Sequence, residues 1–154
     1  MNGGIIMRLS VKKTSELSVP ELLEIMKARV KVFVVEQECP YQEIDDQDDN
    51  ALHMILRVDG RLAAYTRIIK DSKPGYMSFG RVLVVKEFRE QHLGREIVSA
   101  TIEEIKQDFP GNNIKISGQS YLQKFYESFG FKPVSDVYLE DGIPHIDFEL
   151  QVIE

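Results

Sequence analysis

Leu22, Met26, Val30 and Phe33 recur at helical spacing behind Ser18-Val19-Pro20-Glu21, a capping box with proline in the first turn. The spacing predicts a helix over roughly 19–34. Ahead of it, residues 5–11 read as a first strand, and the polar stretch from Glu36 to Asn50 reads as a loop. Leu52, Met54, Leu56 and Val58 then alternate with His53 and Arg57, which assigns those two to the face opposite the apolar one. Asp59-Gly60 marks a tight hairpin, residues 61–69 the returning strand, and Lys73-Pro74-Gly75 the next turn. Tyr76 to Val85 forms a third run, and its last four residues have the look of a strand buried on both faces. The period changes at Leu93, where Ile97, Thr101 or Ile102, and Ile105 share one stripe up to the stop at Phe109-Pro110-Gly111. A short strand at 114–116 follows, then a short helix marked by Leu122, Phe125, Tyr126 and Phe129 and closed by Gly130. Residues 131–139 and 143–153 read as two strands around Glu140-Asp141-Gly142. A strand, a long helix and a strand in succession imply a parallel, right-handed crossover inside an otherwise antiparallel meander. The fold class is therefore mixed α/β, a sheet covered by helices.

Composition narrows the possibilities. The chain has 154 residues, the length of one domain, with 43% hydrophobic and 29% charged residues. Unbroken apolar runs reach only four or five residues, too few for a membrane-spanning helix. The first eight residues lack the basic segment and long apolar core of a secretory leader. A single cysteine, Cys39, leaves no internal disulfide and no cysteine-based zinc cage, so a metal-free, cytoplasmic protein is the default expectation. Cys39 is expected to be buried beside Pro40. A net charge of -6 disfavours nucleic acid as a partner and mildly favours cationic ones such as amines. The run Asp45, Asp46, Asp48 and Asp49 lacks the glycine and terminal glutamate of a calcium loop, and reads as a solvated, amine-attracting surface.

The segment Arg81 to Glu96 carries the strongest chemical signal. A buried strand ends, a basic loop follows, and a helix begins beside Gly94. Unpaired N–H groups at a helix start favour an anion, and a glycine lets a phosphate approach the backbone. Lys86, Arg89, His92 and Arg95 add positive charge and donors. The same residues also fit an ordinary strand-to-helix turn with solvated charges. No Walker-type Gly-Lys-Ser/Thr is present.

Arg89-Glu90-Gln91-His92-Leu93-Gly94 resembles the coenzyme motif of the GNAT N-acetyltransferase superfamily, Arg/Gln-x-x-Gly-x-Gly/Ala, with His92 in place of the middle glycine. Phe125-Tyr126-Glu127-Ser128-Phe129-Gly130-Phe131 is similar to that family's closing helix. The run Val32-Phe33-Val34-Val35-Glu36-Gln37-Glu38-Cys39-Pro40-Tyr41-Gln42-Glu43, with Gly142-Ile143-Pro144-His145, resembles the ElaA-type branch.

The resemblance implies a three-layer fold. Its mixed sheet would have six or seven strands, with helices on both faces and a cleft where the fourth and fifth strands splay. It implies acetyl-CoA as acyl donor and a primary amine of a small molecule or peptide as acceptor. Leu83 and Val84 would offer backbone groups to the pantetheine arm. Backbone N–H groups from Arg89 through Gln91, His92, Leu93 and Gly94 to Arg95 would cradle the diphosphate. Gln119, seven residues before Tyr126, stands where many members place a pantetheine-binding asparagine. Tyr126 would protonate the departing thiolate. Glu36, Glu43, His53 and His145 are candidates for deprotonating the amine, Glu36 first among them, with a water relay as the alternative. A homodimer fits the family, and so does a non-catalytic acyl-CoA binder of the same fold.

Overall fold

The computed structural model describes residues 6–152. Strand β1 (Met7–Lys13) leads through a short turn into helix α1 (Val19–Val30). Ser18 caps α1 reciprocally: its hydroxyl accepts from Glu21 N–H at 3.2 Å, while the Glu21 carboxylate accepts from Ser18 N–H at 2.9 Å. The helix does not simply run on to residue 34. It widens into a π-helical turn over Lys31–Glu36 that carries Val32, Phe33 and Glu36 to the wall of the main cleft.

A three-stranded meander follows: β2 (Leu52–Val58), β3 (Arg61–Lys70) and β4 (Tyr76–Val84). Helix α2 (Leu93–Asp108) crosses over to β5 (Asn113–Gln119). The short helix α3 (Gln123–Glu127) leads to β6 (Lys132–Pro133), β7 (Tyr138–Glu140) and β8 (Ile143–Leu150). The strand order is β1-β2-β3-β4-β5-β8-β6, with β7 also on β8, and among the described residues only the β4–β5 pairing is parallel. The mixed α/β sheet is as the pattern predicts, with eight strands among the described residues where six or seven were expected. The expected strand 131–139 is interrupted, because Pro133 has no N–H and the Ser135 hydroxyl takes the Asp147 N–H at 2.9 Å. The first strand starts and ends later than 5–11, and residue 5 lies outside the described residues.

Helices cover both faces of the sheet. On one side α2 buries Ile97, Val98, Ile102 and Ile105 against Met54, Leu56, Ile68 and Phe79. On the other, Ile25 of α1 packs with Ile55, Leu62, Tyr65 and Leu83. β4 and β5 pair only through Tyr76–Asn113 and Met77–Ile114 and then diverge. Two features widen the gap. One extra residue near Arg81, which adopts φ 50°, shifts the β3–β4 register opposite Thr66. β5, meanwhile, stays paired to β8 from Ile114 through Gln119.

Candidate active site

The divergence of β4 and β5 opens a cleft of about 1090 Å³. Leu83, Val84, Arg89, Gly94, Gln119, Tyr126 and Glu36 all border it. Val85 N–H donates to Ala63 C=O at 2.8 Å, so the alternation of an antiparallel ladder turns the N–H and C=O of Val84 toward the gap. The Leu83 side chain is buried with the α1-side core, and the same alternation turns its N–H and C=O toward Tyr65 of β3 rather than the gap.

Helix α2 contrasts with α1. Its N-cap residue, His92, is left-handed at φ 58° and makes no side-chain capping bond. His92 thus adopts the backbone conformation for which glycine is best suited, at the position where the resemblance expects glycine. The N–H groups of Arg89 and Gln91 are spent on the carbonyls of Lys86 and Phe88. The helix's first N–H groups, those of Leu93, Gly94 and Arg95, have no backbone acceptor among the described residues. The side chains of Gln91, His92, Leu93 and Arg95 do not line the cleft. Leu93 is buried and anchors the helix, while Arg95 donates to the Ser128 hydroxyl at 2.8 Å and stacks over Phe129. A side chain at Gly94 would point at Val84 Cγ2, 3.8 Å from its Cβ.

Arg89 bridges the cleft mouth. Its Nε donates to Val84 C=O at 2.9 Å, and its Nη2 to Glu36 at 2.6 Å. Tyr126, on α3, is 5% exposed, and its hydroxyl makes no hydrogen bond among the described residues. Burial, with a smaller contribution from Tyr121, pushes the Tyr126 hydroxyl up to about 12. Its ring rests on Gly118 of β5: a Cβ there would lie 2.8 Å from Tyr126 Cε2 and 3.1 Å from Phe148 Cε2. Gly118 escaped the sequence reading, although a lone glycine inside a strand is itself a sign of close approach.

The other base candidates have structural partners. Glu43 is buried between Arg29 and Arg81, accepting from Arg29 Nε at 3.0 Å and from Arg81 Nε. His53 is fully buried on the α1 side, between Thr14 Oγ1 at 2.8 Å and Tyr65 OH at 2.6 Å. Burial, then the Arg29 charge, lowers His53 to about 4. The face that carries His53 is therefore mixed, polar at His53 and apolar at Ile55 and Leu83, and it is not solvated, because α1 and the segment after it cover it. His145 borders the cleft, with Nδ1 2.7 Å from Ile143 C=O and Nε2 3.4 Å from Glu140.

The acidic run is only in part a solvated surface: Asp46 and Asp49 are exposed, whereas Asp45 and Asp48 are drawn into ion pairs. Asp48 is buried and accepts from Arg29 Nη1 at 2.6 Å, and Asp45 accepts from Arg67 Nη1 at 2.8 Å. Burial works against the Asp48 charge, but the Arg29 hydrogen bond, the Asp45 N–H and the charges of Arg29 and Arg67 together outweigh it and hold the carboxyl at about 2. Arg29 is likewise raised above its ordinary value despite its own burial, chiefly by the Asp48 hydrogen bond. Cys39 is buried as expected, its thiol 3.3 Å from Asp141 C=O. No group of three or more metal-ligating side chains occurs among the described residues, and no described helix is long and apolar enough to cross a membrane.

A sheet split between its parallel strands, with an uncapped helix start at the mouth of the split, defines the class, and the comparisons agree. A family profile for the acetyltransferase (GNAT) domain matches residues 18–152. The chain belongs to this family, whose chemistry is acyl transfer from an acyl-CoA, and within it to the ElaA type. It is 43% identical to the protein ElaA of Escherichia coli K12 over 146 residues, 91% of this chain and 94% of the relative. The crystal structure of Escherichia coli ElaA superposes with a TM-score of 0.88 at 38% identity, covering 95% of this chain and 100% of that one. An acyl-CoA N-acyltransferase from Pseudomonas aeruginosa gives the same TM-score and coverage at 34% identity.

Proposed function

We propose that the protein is an acetyl-CoA-dependent N-acetyltransferase that acylates a primary amine by direct attack. The observation that carries this reading is the juxtaposition of two features on one cleft. At the mouth, the α2 start holds unmet N–H donors. Deep inside stands a neutral tyrosine hydroxyl with no partner among the described residues.

The N–H groups of Leu93, Gly94 and Arg95 and the helix dipole hold the coenzyme diphosphate. Arg89 turns from Glu36 to a phosphate oxygen, which releases the Glu36 carboxylate into the cleft. The gap-facing backbone of Val84, with Gln119, aligns the pantetheine arm as an added strand. The neutral amine attacks the thioester carbonyl, and a gap-facing N–H near Val84 stabilises the oxyanion. The carbon–sulfur bond breaks, and Tyr126 gives its proton to the departing thiolate. Glu36, directly or through water, first takes the proton of the incoming ammonium, and the second proton that the nitrogen sheds as the amide forms returns to Tyr126.

Calorimetry and a thiol-release assay over an amine panel test the proposal. Acetyl-CoA binds while ATP and NAD do not, and Gly94→Trp abolishes that binding without unfolding the protein. ATP binding in the absence of acetyl-CoA binding would overturn the family mechanism here. Coenzyme binding with no turnover on any amine would leave a non-catalytic acyl-CoA binder.

A further inference from the structure

The cleft floor on the α1 side is built by Arg67 of β3 with Ser78 and Gly80 of β4, residues that alternate across the β3–β4 ladder. Arg67 is 4% exposed. Its Nη1 donates to Asp45 Oδ1 at 2.8 Å and lies 3.2 Å from Asp48 Oδ1, while Nη2 reaches Gln47 only at 3.4 Å. Its Nε–H is buried without any partner, and it is the only such side-chain atom among the described residues. In a guanidinium, Nε–H and one Nη2–H share an edge, and here that edge meets nothing but the long Gln47 contact. A buried donor left unmet is destabilising, and a ligand oxygen would relieve it. Ser78 is also nearly buried, and its hydroxyl makes no hydrogen bond among the described residues. A Cβ built on Gly80 would find nothing within 4 Å, so there is room above the floor.

The charge around this edge is already balanced. Arg29, Arg67 and Arg81 face Glu43, Asp45 and Asp48. A further full negative charge would sit beside Asp45 and Asp48, whereas an uncharged oxygen would not.

We infer that this floor selects acceptors in which the reacting amine neighbours an amide, as in an aminoacyl amide or a peptide end. The Arg67 Nε–H edge holds the amide carbonyl, and the Ser78 hydroxyl meets the adjoining amide N–H. The inference rests on the acyltransferase reading and assigns its substrate class. Arg67 and Ser78 are specificity residues in it and take no part in the chemical step.

Alaninamide, alanine and isopropylamine form a matched set that differs only in the group beside the amine. Rates of acetyl transfer are compared per unprotonated amine, and affinities by calorimetry on protein saturated with CoA. Alaninamide exceeds isopropylamine by about 10- to 100-fold, the range expected for a hydrogen bond to a charged donor, and also exceeds alanine. Arg67→Lys keeps the charge beside Asp45 but removes the Nε–H edge, and brings the three substrates within about threefold of each other. Ser78→Ala, which leaves the ion pairs intact, narrows the preference by about half on a logarithmic scale. CoA affinity is measured for both variants to show that the cleft is intact. Equal handling of all three by the wild type overturns the inference while leaving acyl transfer in place, and so does a preference for alanine. Failure to bind CoA or acetyl-CoA at all overturns both.

Discussion

Placing a methyl group at Gly118 probes the positioning of Tyr126 without touching its hydroxyl. The new Cβ would stand 2.8 Å from Tyr126 Cε2 and 3.1 Å from both Tyr126 Cδ2 and Phe148 Cε2. Carbon atoms pack at about 3.5–4.0 Å, so the tyrosine ring must move by roughly 0.7–1 Å. Phe148 is fully buried and flanked by the same aromatic cluster, so the Tyr126 ring, which borders the open cleft, is the one that gives way. Overpacking of this size costs about 1–3 kcal/mol in stability. A displacement of about 1 Å in a reacting group costs on the order of 10²-fold in rate. Gly118→Ala is therefore expected to lower kcat by about 10²-fold in the thiol-release assay, with acetyl-CoA affinity within a few-fold of wild type. Tyr126→Phe lowers kcat by on the order of 10²–10⁴. The decisive measurement is the double variant: once the hydroxyl is gone, displacing the ring removes nothing more, and Gly118→Ala has little further effect on kcat. An equal loss in both backgrounds would show that Gly118 acts through something other than Tyr126, and the positioning argument would fail.

Two further predictions concern the buried polar layer. Arg29→Met leaves the Glu43 and Asp48 carboxylates short of their main partner, and urea unfolding is expected to show a loss of about 3–5 kcal/mol; a change below about 1 kcal/mol would mean that Arg67 and Arg81 suffice. His53 has a folded value of about 4 against an ordinary 6.5, so as pH falls through that interval the unfolded chain takes up a proton that the native state refuses. Stability then declines by about 1.4 kcal/mol per pH unit, to a total on the order of 3 kcal/mol. The lowered Asp48 carboxyl acts with the same sign below it, its contribution fading as pH drops from 3.8 to about 2. His53→Gln removes the upper of these two phases, and an unchanged slope between pH 6.5 and 4.5 in urea titrations would refute the assignment.

Local signals in the sequence identified the elements that local physics controls. The Ser18 box starts α1, Asp59-Gly60 turns β2 into β3, and the basic turn before Gly94 leads into α2 as its residues require. What escaped is what depends on a second layer. His53 alternates with apolar residues and so reads as outward-facing, but alternation says only that a face is polar. Here α1 buries it beside Arg29. Asp45 and Asp48 look like part of a surface run because their counter-ions, Arg29, Arg67 and Arg81, come from three separate elements. The bulge at Arg81 has no sequence marker, since an arginine stands where positive φ usually invites glycine. The turn proposed to seat the coenzyme and the proposed acid Tyr126 stand out in the sequence because their spacing is local, whereas the proposed acceptor floor is assembled across strands.

A sheet ordinarily has two borders. Because β4 and β5 part company after Met77, this one has four, and the inner two face each other. Exposed borders elsewhere invite other polypeptides to pair and aggregate. These inner ones are flanked by the walls of the cleft, and the space between them suits a thin, extended chain. The molecule is in that sense an unfinished sheet, and under the proposed mechanism its missing strand would be supplied by the coenzyme arm in each catalytic cycle and removed again.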